Sequence, residues 1–154
     1  MDPKFAIVVE ALQSKYEALV NARPMRPEQL RSKLRGVYLF SERGQHLYVG
    51  RSNDIRARYG RQCRPGATHR MAAFAFRLAR ESTGRHTPSY KNDEHSRAGL
   101  MRDPDFQEAF RRAKARIREM DFRCVEESDQ QRQALLEIYC AIALDSPHND
   151  FDTH

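Results

Sequence analysis

A chain of 154 residues with 40% hydrophobic and 31% charged side chains has the composition of one folded globular domain, not of a disordered segment. No apolar run approaches the roughly 18 residues needed to span a membrane, and Met1-Asp2-Pro3-Lys4 lacks the basic and apolar segments of a secretory signal, so the expectation is a cytoplasmic protein without a membrane partner. The net charge of +6 is uneven: residues 51–70 hold six arginines (51, 56, 58, 61, 64 and 70) against Asp54, whereas the chain from Asp121 onward holds eight acids against Arg123 and Arg132.

Residues 4–21 predict an amphipathic helix, with Phe5, Val8, Val9, Leu12, Tyr16, Leu19 and Val20 at helical spacing and Pro24 and Pro27 ending it. A short helical turn is expected over 28–34. Two strands follow, 37–40 and 46–49, joined by the polar segment Ser41-Glu42-Arg43-Gly44-Gln45. Asn53 or Asp54 caps a helix from Ile55 to about Gln62, which Pro65-Gly66 breaks. Met71–Arg80 has a further helical pattern, and 82–103, rich in Ser, Thr, Gly, Pro, His and charge, predicts an extended polar loop. Asp103 and Pro104 open another helix with Phe106, Ala109, Phe110, Ala113 and Ile117 on its apolar side. Phe122–Glu126 predicts a third strand, and Asp129 caps a last helix from about Gln130 to Leu144, with Pro147 beyond it. The order implies an α/β fold with a small three-stranded sheet flanked by helices.

Two tripeptides stand out, Gly36-Val37-Tyr38 and Tyr48-Val49-Gly50, with nine residues between them and Arg58 eight residues beyond Gly50. In a tight hairpin the two tyrosines project from one face, and the flanking glycines admit a close backbone or ligand approach. Strand tyrosines also serve as plain packing, and a single arginine in a basic run also serves as a surface charge. Arg51, Arg56 and Arg61 read either as phosphate contacts or as solvated charges.

Glu137 is the one charge in the eleven residues from Ala134 to Leu144. That helix is expected to be largely buried, and a buried carboxylate requires a cation: an arginine or a divalent metal. Asn149, after Pro147, is either a turn residue or a site residue. Cys63, Cys124 and Cys140 are odd in number and form no Cys-x-x-Cys pair, which fits neither a disulfide framework nor a structural zinc site. There is no P-loop, no dinucleotide-binding glycine pattern and no His-Glu-x-x-His.

The two tripeptides, the segment Gly50-Arg-Ser-Asn-Asp-Ile-Arg-Ala-Arg58, Glu137 and Asn149 together resemble the GIY-YIG nuclease family. The resemblance covers 36–62 and 121–150. It implies a three-stranded antiparallel sheet flanked by helices, with 1–35 an N-terminal helical extension and 63–103 an insert in a nuclease domain spanning 36–150. It further implies a metal-dependent DNA endonuclease in which Glu137 is the protein ligand of one Mg²⁺ or Mn²⁺. Tyr48 would be the general base, Tyr38 would hold the water or a phosphate oxygen, Arg58 would offset transition-state charge, and Asn149 would position the metal-bearing part of the site. An ordinary phenol ionises near about 10, so the base role needs cations beside it. Family members often carry a histidine one turn beyond the arginine, where this chain has Gln62; His69, Lys91 and His95 are either substitutes for it or plain surface residues, and the proton donor to the leaving oxygen stays open. The alternative is a nucleic-acid-binding module that keeps the fold and does not cut. The insert fits either a DNA-facing element or a homodimer surface.

Overall fold

A computed structural model describes residues 1–85 and 94–149 of the chain. Along it run α1 (Pro3–Asn21), a 3-10 turn (Pro27–Gln29), β1 (Gly36–Glu42), β2 (Gln45–Ser52), α2 (Ile55–Cys63), α3 (Ala73–Thr83), α4 (Arg97–Leu100), α5 (Pro104–Arg118), β3 (Asp121–Glu126) and α6 (Gln130–Ala143). This is an α/β fold with a three-stranded antiparallel sheet and, among the described residues, six α-helices. No helix among the described residues is long and apolar enough to cross a membrane. The chain forms two compact units, one from Met1–Arg58 with Met120–His154 and one from Tyr59–Glu119.

In the first unit the strand order is β2-β1-β3, so β1 is central and β2 is an edge. The hairpin turn is only Arg43-Gly44, both at positive φ (52° and 78°), the left-handed pair that matches strand twist. The strands therefore run further than the alternation of apolar residues alone implied. Val37, Leu39 and Val49 point to one face and pack with Leu12 and Leu19 of α1 and with Leu136 and Cys140 of α6. Fully burying each such aliphatic side chain contributes about 1.5–3 kcal/mol. Residues of the opposite parity, Tyr38, Phe40 and Phe122, form an aromatic cluster on the other face, with ring centroids 5.2–5.8 Å apart.

The helix caps follow the sequence. Asp2 accepts from the Phe5 N–H at 3.0 Å with Pro3 in the first turn of α1, and Asp129 accepts from the Arg132 N–H at 2.9 Å to start α6. Two expectations of burial are corrected. In α1, Leu12 and Leu19 are buried, whereas Phe5 is exposed. In α6, expected to be largely buried, Leu136, Cys140 and Ala141 are covered, but Ile142 is 74% exposed. The helix covers the sheet with one face only, so a charge-free run does not mean burial all round. None of the three cysteines forms a disulfide among the described residues, and burial pushes the Cys124 and Cys140 thiols up to about 11 and about 12, in keeping with small hydrophobes.

In the second unit α3 packs on α5 through Phe76, Phe106 and Phe110. Asp103 caps α5 by accepting from the Asp105 N–H at 2.9 Å, and Gly84 ends α3 at φ 71°. The segment 82–103, expected as a loop, contains α4, whose first turn Ser96 caps by accepting from the Gly99 N–H at 3.0 Å. Residues 86–93 of that segment, Lys91 included, lie outside the described residues.

Candidate active site

The two glycines of the tripeptides are required for different reasons. Gly36 lies between β2 and β3, opposite Ser52 and Glu126, and a Cβ there would fall 2.0 Å from the Val125 carbonyl oxygen. Gly50 pairs with Tyr38, and a Cβ there would fall 2.3 Å from the Tyr38 Cζ and Oη. Thus Gly36 lets a strand approach, and Gly50 makes room for a phenol to lie across β2.

Tyr38 is 2% exposed and stacks on Phe122 at 5.7 Å with an interplanar angle of 24°. Tyr48 lies opposite Phe40, on the same face, with its ring centroid 6.4 Å from that of Tyr38. Tyr48 is the more accessible of the two. The expectation that both tyrosines share a face holds, because Tyr38 and Tyr48 have the same parity across the β1–β2 register.

Arg58 is set by the start of α2. The Asp54 carboxylate accepts from the Ala57 N–H at 3.1 Å, and its carbonyl accepts from the Arg58 N–H at 2.9 Å. Asp54 rather than Asn53 is therefore the cap. Asn53 instead accepts from Gln130 Nε2 at 2.6 Å, which ties the β2–α2 loop to the start of α6.

Glu137, on α6, is met by Arg51 from β2: Nε donates to Oε2 at 3.0 Å. The Glu137 side chain is 21% exposed and that of Arg51 42%. Burial pushes the Glu137 carboxyl above its ordinary range; the Arg51 charge and hydrogen bond, and then the Arg58 charge, pull it back only in part. Oε1 has no protein partner among the described residues. Two guanidiniums about one carboxylate leave a surplus of one positive charge, which suits an anion such as a phosphodiester. The lone carboxylate with an open oxygen also fits a hard divalent cation of the Mg²⁺ type, which takes one or two carboxylates and completes its shell with water and phosphate oxygens. No group of three or more His, Cys, Asp or Glu gathers among the described residues, and such a cation does not require one.

Asn149 works on the strand edge. Its Oδ1 accepts from the Val49 N–H at 2.9 Å and from Ser146 Oγ at 2.6 Å, and its Nδ2 donates to the Val49 carbonyl at 2.7 Å. The His148 N–H adds a bond to the Leu47 carbonyl at 3.2 Å. One amide side chain thus satisfies the outward groups of an edge strand at the residue between Tyr48 and Gly50.

No family model, curated protein or solved structure matches this chain. Tyr38, Tyr48, Arg51, Arg58, Glu137 and Asn149 all belong to the first unit. Sheet parity gives Tyr38 and Tyr48 the face away from the Leu136 side of α6 and Arg51 the face of Val49, with Val49 and Gly50 between Tyr48 and Arg51 along β2. Arg56 is exposed on α2, and Arg61 is exposed in the second unit, neither with an ion pair among the described residues. His69 and His95 also belong to the second unit, and Gln62 is buried there, its Oε1 accepting from the Phe74 N–H at 3.5 Å. Sequence reasoning missed Arg51 as the partner of Glu137. The available signal was parity, since Arg51 shares the face of Val49.

Proposed function

We propose that this protein is a metal-dependent DNA endonuclease akin to the GIY-YIG nucleases. The observation that carries the reading is Glu137: a carboxylate that burial destabilises, answered by Arg51 and Arg58 and left with one open oxygen, in the same unit as a glycine-flanked tyrosine pair. A residue kept in so unfavourable a setting is a functional candidate, because stability alone does not ask for it.

On this reading Glu137 holds one Mg²⁺ or Mn²⁺. When bound, the ion supplies Lewis-acid stabilisation of the phosphoryl and leaving oxygens. Tyr48, the accessible phenol, would take a proton from the attacking water, while Tyr38, buried against Phe122 and Gly50, would hold Tyr48 in place. Arg58 offsets the negative charge that grows on the phosphate, a role suited to a planar, permanently charged group. Arg51, now paired with Glu137, would be free to meet a phosphate oxygen once Glu137 turned to the metal. Asn149 positions β2 and stays clear of the reacting atoms.

The Arg51–Glu137 ion pair also favours a second reading, a nucleic-acid-binding module that does not cut, in which the pair is a permanent structural tie. Incubation of supercoiled plasmid with Mg²⁺ or Mn²⁺ separates the two. Nicking by the wild type that disappears in Glu137→Ala and Arg58→Ala supports the nuclease; intact plasmid with well-folded protein supports the binder.

A further inference from the structure

The positive charge of the chain belongs to the second unit. Tyr59–Glu119 carries fourteen lysines and arginines against seven aspartates and glutamates, a net +7, whereas the rest carries thirteen against fourteen, a net −1. Some of these cations are committed within the unit. Glu108 takes Arg111 and Arg112, and Asp103 takes Arg85. Lys114 turns inward and donates to the Pro65 and Ala67 carbonyls at 2.7 and 2.9 Å, and Arg118 donates to the Cys63 carbonyl.

Those inward bonds hold the segment after α2 by its carbonyls and leave its arginines outside. Arg64 and Arg70 are exposed and have no carboxylate partner among the described residues. Arg97, at the start of α4, joins them: its Nη1 donates to the His69 carbonyl at 3.2 Å and its guanidinium lies 4.9 Å from the centre of the Phe76 ring. Arg80 approaches the same ring at 5.1 Å, and the His69 ring centre is 6.4 Å away. His69 is held below its ordinary range by burial and then by the Arg70 and Arg97 charges, so these groups feel one another. Phe76 is itself buried, so its π-face fixes guanidiniums that would otherwise repel apart.

We propose that the Arg64–Arg70 segment together with Arg97 is a docking face for the phosphate backbone of nucleic acid, a binding surface in addition to the candidate catalytic residues. The inference rests on the nuclease reading only in taking DNA as the polyanion. A nucleic acid fits better than an acidic protein. Protein interfaces need a fully buried apolar or aromatic centre, and the large hydrophobic side chains exposed among the described residues, Met1, Phe5, Ile7, Ile138 and Ile142, all lie in the other unit. A backbone reader needs only preorganised cations.

The test is binding of a short labelled duplex of mixed sequence in EDTA, where no cutting intervenes, followed by fluorescence anisotropy from about 50 to about 300 mM KCl. The triple variant Arg64→Ala/Arg70→Ala/Arg97→Ala is expected to bind more weakly, with the slope of log affinity against log salt reduced by roughly 2 to 3, about 0.9 for each phosphate no longer neutralised. Arg70→Ala alone, an exposed change that does not endanger folding, is expected to reduce the slope by about 1. An unchanged slope in both variants, or no duplex binding by the wild type, overturns the proposal. Displacement of the duplex by polyglutamate at equal charge overturns nucleic acid as the partner. Plasmid cutting by the wild type keeps the two readings apart. If the wild type binds with the full slope and the arginine variants with a reduced one but no plasmid is cut with Mg²⁺, the docking face stands and the nuclease falls; cutting with an unchanged slope in the arginine variants is the reverse.

Discussion

In the unit of Met1–Arg58 and Met120–His154, one carboxylate is withdrawn from water and arginines gather about it; in Tyr59–Glu119, arginines are gathered and several have no carboxylate partner among the described residues. The first arrangement confines charge to a point, at Glu137 on a rigid helix–sheet frame. The second spreads positive charge along a segment whose carbonyls are held from within by Lys114 and Arg118. On the proposed reading, charge is divided by task. A reacting group needs one tuned charge at one location, whereas grip on a polyanion needs many cations at spacing that a backbone tolerates.

Catalysis is where this contrast between the units is most exposed to test. Glu137→Ala is expected to remove metal-dependent plasmid cleavage, and Arg58→Ala to slow it about 100–1,000-fold, with duplex affinity in EDTA changed far less than the rate in both. Loss of affinity in step with rate would return both residues to the binding role assigned here to the second unit.

Next come the glycines, read by urea melts. Gly36→Ala drives a methyl into the Val125 carbonyl and is expected to destabilise by about 3 kcal/mol or more, since a backbone atom of a paired strand has nowhere to move. Gly66→Ala in the second unit meets nothing within 4 Å and is expected to be neutral or to stabilise by up to about 1 kcal/mol. Equal effects would mean that the sheet is less tightly specified than its register implies.

Asn149→Ala removes both bonds to Val49 and is expected to lower stability by about 1–3 kcal/mol, measured by the same melts, and to slow cleavage through loosened β2. Asn149→Asp keeps the acceptor for the Val49 N–H and loses the donor to its carbonyl, so it should fall between the two.

A pH dependence is the subtlest of these effects. Burial raises the Glu137 carboxyl, so its contribution to stability is fully present below its unfolded pKa and is lost as pH rises through the higher folded value. Glu137→Gln does not titrate there. Its melting temperature is therefore expected to gain on that of the wild type as pH is raised from about 4 to about 8. A variant that instead loses ground at the upper pH would mark Glu137 as an ion-pair residue that serves stability.

Much of the local architecture was legible. The parity of Tyr38 and Tyr48, the Asp103 and Asp129 caps, and the glycine requirement at 36 and 50 follow from backbone geometry within a few residues or across a tight hairpin. The candidate site was less so. Glu137 announced itself by its apolar neighbours, but its partner was not readable among many arginines, because Arg51 lies 86 positions away and only the seating of α6 on the sheet selects it. Asn149 was legible as a residue type after a proline, and its edge-strand role was not, since the Val49 groups it satisfies are 100 positions away and need partners only because β2 is an edge.

The order of amino acids sets where helices and strands begin, which strand residues share a face, and that this chain is rich in arginine without matching acids. Only the packed chain settles which arginines are held by carboxylates or turned inward, which are left outside, and which apolar residues of α1 and α6 stay exposed. Secondary structure is set by steric and hydrogen-bond preferences that act over a few residues, whereas the environment of a charge is set by whatever folding brings against it.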